Sequence, residues 1–356
     1  MAKIENDNFL RACRREPVDH TPVWMMRQAG RYMAEYRALR EKRTLLELCK
    51  TPELAMEVTL QPLRLGMDAA ILFADILLPL EPMGAPFEFQ KGEGPVVHTP
   101  VRDRAGIEKL RVFEAEEGLG YVTQAIRLLR KELKVPLIGF AGAPFTIASY
   151  LIEGGKSHDY RTAKNLMWSD PEAWHLLMSK ISEVVRRYLR AQVEAGAQAI
   201  QLFDSWVGAL SPEDYAESVA PHVKHILSDL EKTGVPVIHF GTGTSALLEL
   251  QRDAGGTVIG VDHRVRISDA WKRIGYDRAI QGNMDPLLLL APRDIAVKRA
   301  KQVIRDAGGR DGHIFNLGHG IVPEVPVDTV KAVIDAIHET PRDVGPAAPS
   351  GARGAA

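Results

Sequence analysis

The sequence predicts a single-domain (β/α)8 TIM-type barrel with its active site at the carboxyl ends of the strands. Three observations point there. About eight short apolar runs each end in small or polar residues, amphipathic segments with capping signals separate them, and no solenoid repeat interrupts the pattern. The chain has 356 residues, a length that α/β barrels reach as one domain.

The candidate strands are 23–26, 69–73, 137–141, 199–203, 237–240, 258–261, 279–282 and 314–317. A doubly wound open sheet uses the same βα grammar, so periodicity alone leaves both architectures open. The strand count, and the polar residues at most strand ends, favour the closed barrel. Helix starts are marked by Thr51-Pro52, Asp170-Pro171, Ser211-Pro212 and Asp285-Pro286, each placing a capping oxygen before a proline of the first turn. The stretch 173–195 offers Leu176, Met178, Ile181, Val184 and Leu189 as an apolar stripe for the outside of the barrel. The Gly- and Pro-rich insertion 82–99 reads as a hairpin bordering the pocket. The barrel is expected over 8–340, after a flexible stretch 1–7. The tail 341–356, made largely of Pro, Gly, Ala and Ser, is expected to be disordered for want of apolar surface to bury.

Forty-five Lys and Arg nearly cancel forty-six Asp and Glu, so no overall basic field draws the chain to nucleic acid or anionic membrane. No apolar stretch is long enough to span a bilayer, and the amino terminus lacks the apolar core of a signal peptide. Cys13 and Cys49 are too few for a disulfide framework or a thiolate metal site, which fits a reducing, cytoplasmic compartment. Gly241-Thr-Gly243 lacks the third glycine of a dinucleotide fingerprint and the lysine of a P-loop. The pairs His222/His225 and Asp262/His263 lack the third ligand of a catalytic zinc site and read as surface or loop pairing. Neither a metal nor a cofactor is expected.

The densest chemical signal is Pro22-Val-Trp-Met-Met-Arg27-Gln28-Ala29-Gly30-Arg31-Tyr32, in which an apolar strand runs into two guanidiniums around a glycine. Arginine offers a planar fork for carboxylates, and Ala29 with Gly30 lets backbone approach a ligand closely; surface ion pairing is the competing reading. Asp75 ends the apolar run from Ile71. A carboxylate there needs partners; with Arg27 or Arg31 nearby it stays ionised and can face N–H donors or a developing cation, whereas a helix cap is the bland alternative. Tyr150 follows a small, apolar stretch beginning at Gly139 and is a candidate donor to substrate, or a packing residue with its hydroxyl in water. Ser205 follows a strand without a Gly-x-Ser-x-Gly elbow, so a hydrolase nucleophile is not expected. His319 lies between Gly318 and Gly320 past the last strand, where it can reach a pocket, although a lone histidine is often structural.

The segments from Pro22 to Tyr32 and Gly139-Phe-Ala-Gly-Ala-Pro-Phe-Thr146 closely resemble the two signature segments of the uroporphyrinogen decarboxylases. Phe73-Ala-Asp75, Gln201-Leu-Phe-Asp204-Ser205, Gln281-Gly-Asn-Met-Asp285-Pro286 and Asn316-Leu-Gly-His319-Gly320 fall in that family's order and spacing, so the resemblance covers 8–340. It implies a homodimeric (β/α)8 barrel that converts uroporphyrinogen III to coproporphyrinogen III, turning four acetate side chains into methyls without a cofactor. It also implies substrate binding by Arg27, Gln28, Ala29, Gly30, Arg31, Asp75, Tyr150, Ser205 and His319, with Asp75, Arg27 and Arg31 as the catalytic groups. Two rivals stand beside it. A zinc-dependent corrinoid methyltransferase of the same fold uses a His-x-Cys pair and a later cysteine, whereas here Phe240 and Gly241 follow His239 and no cysteine lies beyond Cys49. A non-enzymatic tetrapyrrole carrier would need the arginines but not the aspartate.

Overall fold

The computed structural model describes residues 3–90 and 94–342. Seven parallel strands form one sheet in the order β1 (Ala70–Ile71), β4 (Leu137–Gly142), β5 (Ala199–Asp204), β6 (Val237–Gly241), β7 (Val258–Gly260), β8 (Ala279–Gln281) and β9 (His313–Ile314). Sequential strands are neighbours, apart from an antiparallel hairpin of β2 (Phe87–Gln90) and β3 (Gly94–Val97) inserted after β1. The eighth expected strand, 23–26, is reduced to one bridge but still joins the two edges. The Phe315 N–H donates to the Pro22 carbonyl at 2.8 Å, and the Asp68 N–H donates to the Val23 carbonyl at 2.8 Å. The sheet therefore curls into a barrel with helices outside, as alternating apolar runs and amphipathic segments require.

Local chemistry explains most boundaries. Asp170 caps the long helix Pro171–Ala195 by accepting from the Ala173 N–H at 3.0 Å, and Ser211 caps Pro212–Ser218 from Asp214 at 3.0 Å. Asp285 accepts from the Leu287 N–H at 2.9 Å but opens only a short 3₁₀ turn, Pro286–Leu290. The expected cap at Thr51 is not made. That residue sits between two consecutive helices and spends its N–H on Glu47 of the first, whose start is held by a Thr44–Glu47 capping box. On Pro171–Ala195 the stripe includes Met178, Ile181, Val184 and Leu189 as expected, but Trp174 and Leu177 complete it and Leu176 is only half-buried. Gln192 on the same helix clasps Phe140 of β4, its amide bonding the Phe140 N–H at 2.8 Å and carbonyl at 2.9 Å.

The insertion 82–99 forms the expected hairpin. Its second strand ties to the end of helix Pro144–Glu153 through the Val97 N–H and Gly154 carbonyl at 2.9 Å, while residues 91–93 lie outside the described residues. No helix among the described residues is long and apolar enough to cross a membrane. The expected disordered tail lies outside them from 343 onward; Arg342, just before, bonds the Val18 carbonyl at 3.0 Å and Asp311 at 2.6 Å. At the other end, the stretch expected to be free is anchored by the Glu5 N–H on the Lys134 carbonyl at 2.9 Å.

One buried carboxylate joins these ends, and nothing in the local sequence announces it. Asp68 Oδ1 accepts from Asn6 at 2.7 Å and His20 at 2.9 Å, while Oδ2 accepts from the Val23 N–H at 2.7 Å and His338 at 2.8 Å. The amino terminus, the closing strand and the last helix Val327–His338 thus meet on one side chain. Burial alone would raise the Asp68 pKa, but the donations from His20 and His338 and the Val23 N–H hold it at about 2. For His20 the hydrogen bond to Asp68 outweighs desolvation and raises the pKa. The signs follow from linkage. The Asp68 contribution is present above the ordinary carboxylate pKa and is lost as pH falls through about 2, whereas the His20 contribution is present below its ordinary value and is lost as pH rises past its raised one. Asp68→Asn should therefore cost about 2 kcal/mol near pH 6 and flatten the acid limb of stability between about pH 4 and 2. Denaturant melts across that range provide the measurement, and an unchanged acid limb would refute the latch.

Candidate active site

The residues singled out in the sequence lie past the carboxyl ends of different strands, where barrel chemistry is assembled. Arg27 follows the closing segment, Asp75 follows β1, Ser205 follows β5 directly, and His319 lies beyond β9. Tyr150 is carried by Pro144–Glu153, which starts immediately after β4 because Pro144 fits the first helical turn.

The loop carrying Arg27 is bound from within. Gln28 is fully buried; its side-chain oxygen accepts from the Met25 N–H at 3.1 Å and its amide donates to the Ala69 carbonyl at 3.1 Å. In a segment expected to bind substrate, the Gln28 side chain is committed at both ends to shaping the loop. The Tyr32 hydroxyl donates to the Gln28 carbonyl at 2.8 Å, and Arg37 donates to the Arg31 and Tyr32 carbonyls at 2.9 and 3.0 Å. These bonds hold Arg27 in the left-handed region at φ 60°, a conformation that costs a non-glycine residue energy and persists only when the surroundings impose it. Ala29 and Gly30 are half-buried, and a Cβ on Gly30 would sit 3.0 Å from the Arg27 carbonyl oxygen.

Arg27, Asp75, Tyr150 and His319 form one electrostatic group. Burial raises the Asp75 pKa, opposed by the Leu77 N–H, 2.9 Å from its Oδ1, and by the Arg27 guanidinium. Asp75 is partly open to solvent, yet protein surrounds the carboxyl closely enough for desolvation to prevail. Burial, then Asp75, raises the Tyr150 pKa against opposition from the Trp206 indole and Arg27, so the phenol keeps its proton. Burial, followed by the charges of Arg27, His263 and Arg264, lowers the His319 pKa to about 4. The Gly320 N–H donates to His319 Nδ1 at 2.7 Å, so the neutral ring carries its proton on Nε2, a donor available to a ligand oxygen.

Neither Arg27 nor Arg31 has an acidic side chain within ion-pairing distance among the described residues, whereas many other arginines of the chain do. Unpaired guanidiniums at a strand end are what an anionic ligand requires. Arg31 stands apart from the group. Both arginines are exposed, but the charge of Arg31 acts on Tyr36 and, unlike that of Arg27, is not among those acting on Asp75. Ser205 is half-buried; its carbonyl accepts from the Thr242 hydroxyl, and its neighbour Trp206 lies 6.1 Å from the Tyr150 ring.

Two features escaped sequence reasoning. Trp206 backs Tyr150, and the loop 262–264 borders His319, with Asp262 accepting from the Gly243 N–H at 2.6 Å and paired with Arg264. The loop pairing expected for Asp262 is found, but its position beside His319 depends on the barrel closing. Of the other histidines considered, His222 bonds His175 at 2.9 Å and His225 lies 3.5 Å from Glu183, a surface network. Among the described residues, His20, Asp68 and His338 are the one group with metal-like spacing, and both Asp68 oxygens already accept two hydrogen bonds each.

The family described as uroporphyrinogen decarboxylase (URO-D) matches residues 4–340. A protein of Sorangium cellulosum (strain So ce56) named uroporphyrinogen decarboxylase is 78% identical over 339 residues, covering 95% of this chain and 97% of its own. One from Carboxydothermus hydrogenoformans with the same name is 58% identical over 337 residues, covering 94% and 96%. Among solved structures, a methyltransferase from Methanosarcina mazei superposes with a TM-score of 0.78 over 93% of this chain and 97% of that one, at 23% identity, a likeness of fold.

The packing of Arg27 on Gly320 allows a direct test. A Cβ on Gly320 would lie 2.7 Å from Arg27 Cγ, so Gly320→Ala must swing the guanidinium aside. It should leave the melting temperature within a few degrees and weaken binding of a soluble polycarboxylate such as mellitic acid about tenfold, the scale of one lost charge-assisted pair. Tryptophan fluorescence titration measures this, and unchanged affinity would remove Arg27 as the grip.

Proposed function

Because the chain belongs to the uroporphyrinogen decarboxylase family, we propose that it removes the carboxyl groups of the four acetate side chains of uroporphyrinogen III, giving coproporphyrinogen III and four molecules of carbon dioxide. The observation that carries this reading is that Asp75, bonded by the Leu77 N–H alone, and Arg27, without an ion-paired acidic side chain among the described residues, both lie past the strand ends. A flexible ring of pyrroles offers N–H donors at its centre and carboxylates at its rim, matching one central carboxylate and one peripheral guanidinium.

The chemistry needs an electron sink, which many enzymes take from a cofactor. A pyrrole can supply its own. Protonation of a ring carbon makes an iminium-like cation; the bond from methylene to carboxylate then breaks, carbon dioxide leaves, and the electron pair neutralises the ring. A second proton adds to the methylene carbon and the ring proton departs, so each turnover consumes one proton net and leaves a methyl. Asp75 stabilises the cation and accepts from the pyrrole N–H groups, which favour its ionised form against desolvation. Arg27 and, from the rim, Arg31 hold acetate and propionate carboxylates, joined by the backbone N–H groups of Ala29 and Gly30, while Gln28, its N–H on the Met25 carbonyl, shapes the loop that offers them. Tyr150, Ser205 and the Nε2–H of His319 position further oxygens as neutral donors.

The same reading makes the enzyme cofactor-independent, cytoplasmic and homodimeric. Two buried free cysteines support a reducing compartment. Leu287, Leu290 and Ile295, large apolar residues exposed along one short segment, support assembly.

Asp75→Asn preserves shape and removes charge, so kcat should fall by more than about 100-fold, the scale of one lost electrostatic partner. Assay of carbon dioxide release from reduced substrate without added cofactor reads this, and near-normal turnover would eliminate the role. Arg31→Lys should raise KM several-fold with kcat less affected, since a point charge cannot reproduce the fork. Unchanged steady-state constants would take Arg31 out of the site.

A further inference from the structure

The latch at Asp68 brings two imidazoles and a carboxylate to one point. His20 and His338, from opposite ends of the described chain, both turn Nε2 toward the same side chain, at 2.9 Å from Oδ1 and 2.8 Å from Oδ2. Their ring centroids are 4.2 Å apart, and one ligand atom from each of the three residues lies within 4.8 Å of the others. In zinc sites the nitrogen and oxygen ligands stand at about 2.0–2.2 Å from the ion and so about 3.3 Å from one another. The separations at Asp68 fall short of that by only about half an ångström, a movement open to the half-buried histidines.

The carboxylate is held independently of the imidazoles. Asn6 donates to Oδ1 at 2.7 Å and the Val23 N–H to Oδ2 at 2.7 Å, outer bonds of the kind that orient a ligating carboxylate. An ion between the three residues would replace only the Nε2–H protons, which pass to solvent while each Nδ1 keeps its hydrogen. Access is open as well. Asp68 is buried, but the His20 and His338 side chains are 24% and 27% exposed, and His338 lines a surface cavity of about 320 Å³ with Val18, Asp19 and Arg342. Exposed Asp19 adds a second carboxylate there, whereas the Arg342 guanidinium is spent on the Val18 carbonyl and Asp311. Two nitrogens and one carboxylate suit a borderline ion, since magnesium and calcium take oxygen ligands.

We propose that His20, Asp68 and His338 bind one divalent transition ion of the zinc type, a structural site that clamps the amino terminus, the closing segment and the last helix together. Asp68 precedes β1 and Asp75 follows it, so the site lies at the amino ends of the strands, away from the candidate active site. The ion takes no part in the decarboxylation, and the inference is independent of that reaction.

Full-length protein without an affinity tag, stripped with a chelator and then freed of it, is titrated with Zn2+ by calorimetry. Wild type should bind one ion per chain with a Kd below about 10 μM, and saturating Zn2+ should raise the melting temperature by a few degrees, whereas Mg2+ should do neither. His338→Gln leaves Asp68 an N–H donor but removes the ligating lone pair, so it should weaken binding more than about tenfold and abolish the thermal shift. His175→Ala, which removes the surface pair with His222, should change neither. Absence of stoichiometric binding in wild type, unchanged binding in His338→Gln, or loss in His175→Ala overturns the proposal. Should His338→Gln fail to fold, His20→Asn decides, together with zinc-edge X-ray absorption of wild type, where fewer than two imidazole nitrogens on the ion would refute the site.

Discussion

A carboxyl group partly out of water, with too few donors of its own, is the constraint around which the site is built. Asp75 receives one backbone N–H and the field of one guanidinium, and desolvation still raises its pKa. The remaining hydrogen-bonding capacity is open to water or to a ligand that brings donors to the centre of the site. Arg27 has the converse need, a cation with no acidic side chain within ion-pairing distance among the described residues. The two deficits are complementary to a molecule with N–H groups inside and carboxylates outside.

Such a site needs a rigid mounting, because Arg27 occupies a backbone conformation that a free loop would abandon. Gln28 supplies it locally by spending both amide ends on Met25 and Ala69. Asp68 supplies it globally. Its bond to the Val23 N–H seats the closing strand three residues before the loop turns toward Arg27, while His338 on the same oxygen and His20 on the other bring in both chain ends. Barrel closure and the mounting of Arg27 therefore share one short segment.

What the sequence made legible follows the range of the forces involved. Apolar runs record burial locally, so seven of the eight expected positions are strands, two of them, β1 and β9, only two residues long, while 23–26 closes the sheet by a bridge. Caps at Asp170 and Ser211 were legible for the same reason, whereas Thr51 failed because its neighbour helix competes for it. Placement of Arg27, Asp75, Tyr150 and His319 beside one another agrees with strand-end logic. The inward turn of the Gln28 side chain and the Asp68 cluster do not show in local pattern, since each depends on partners tens to hundreds of residues away.

The charge balance of the site bears on rate as well as affinity. Tyr150 keeps its proton, and His319 is neutral near pH 7 because burial and Arg27 disfavour its cation. Of the four grouped residues, then, only Arg27 and Asp75 can carry charge, and they oppose each other. More cations would grip a polycarboxylate more tightly in every state along the reaction, which lowers KM without lowering the barrier. Neutral donors hold rim oxygens while adding little field at the ring, so the ionised form of Asp75 dominates where positive charge develops. On the proposed reading the site spends its electrostatics on the ring cation, the species present only between substrate and product, and leaves recognition to hydrogen bonds, Arg27 and the outlying Arg31.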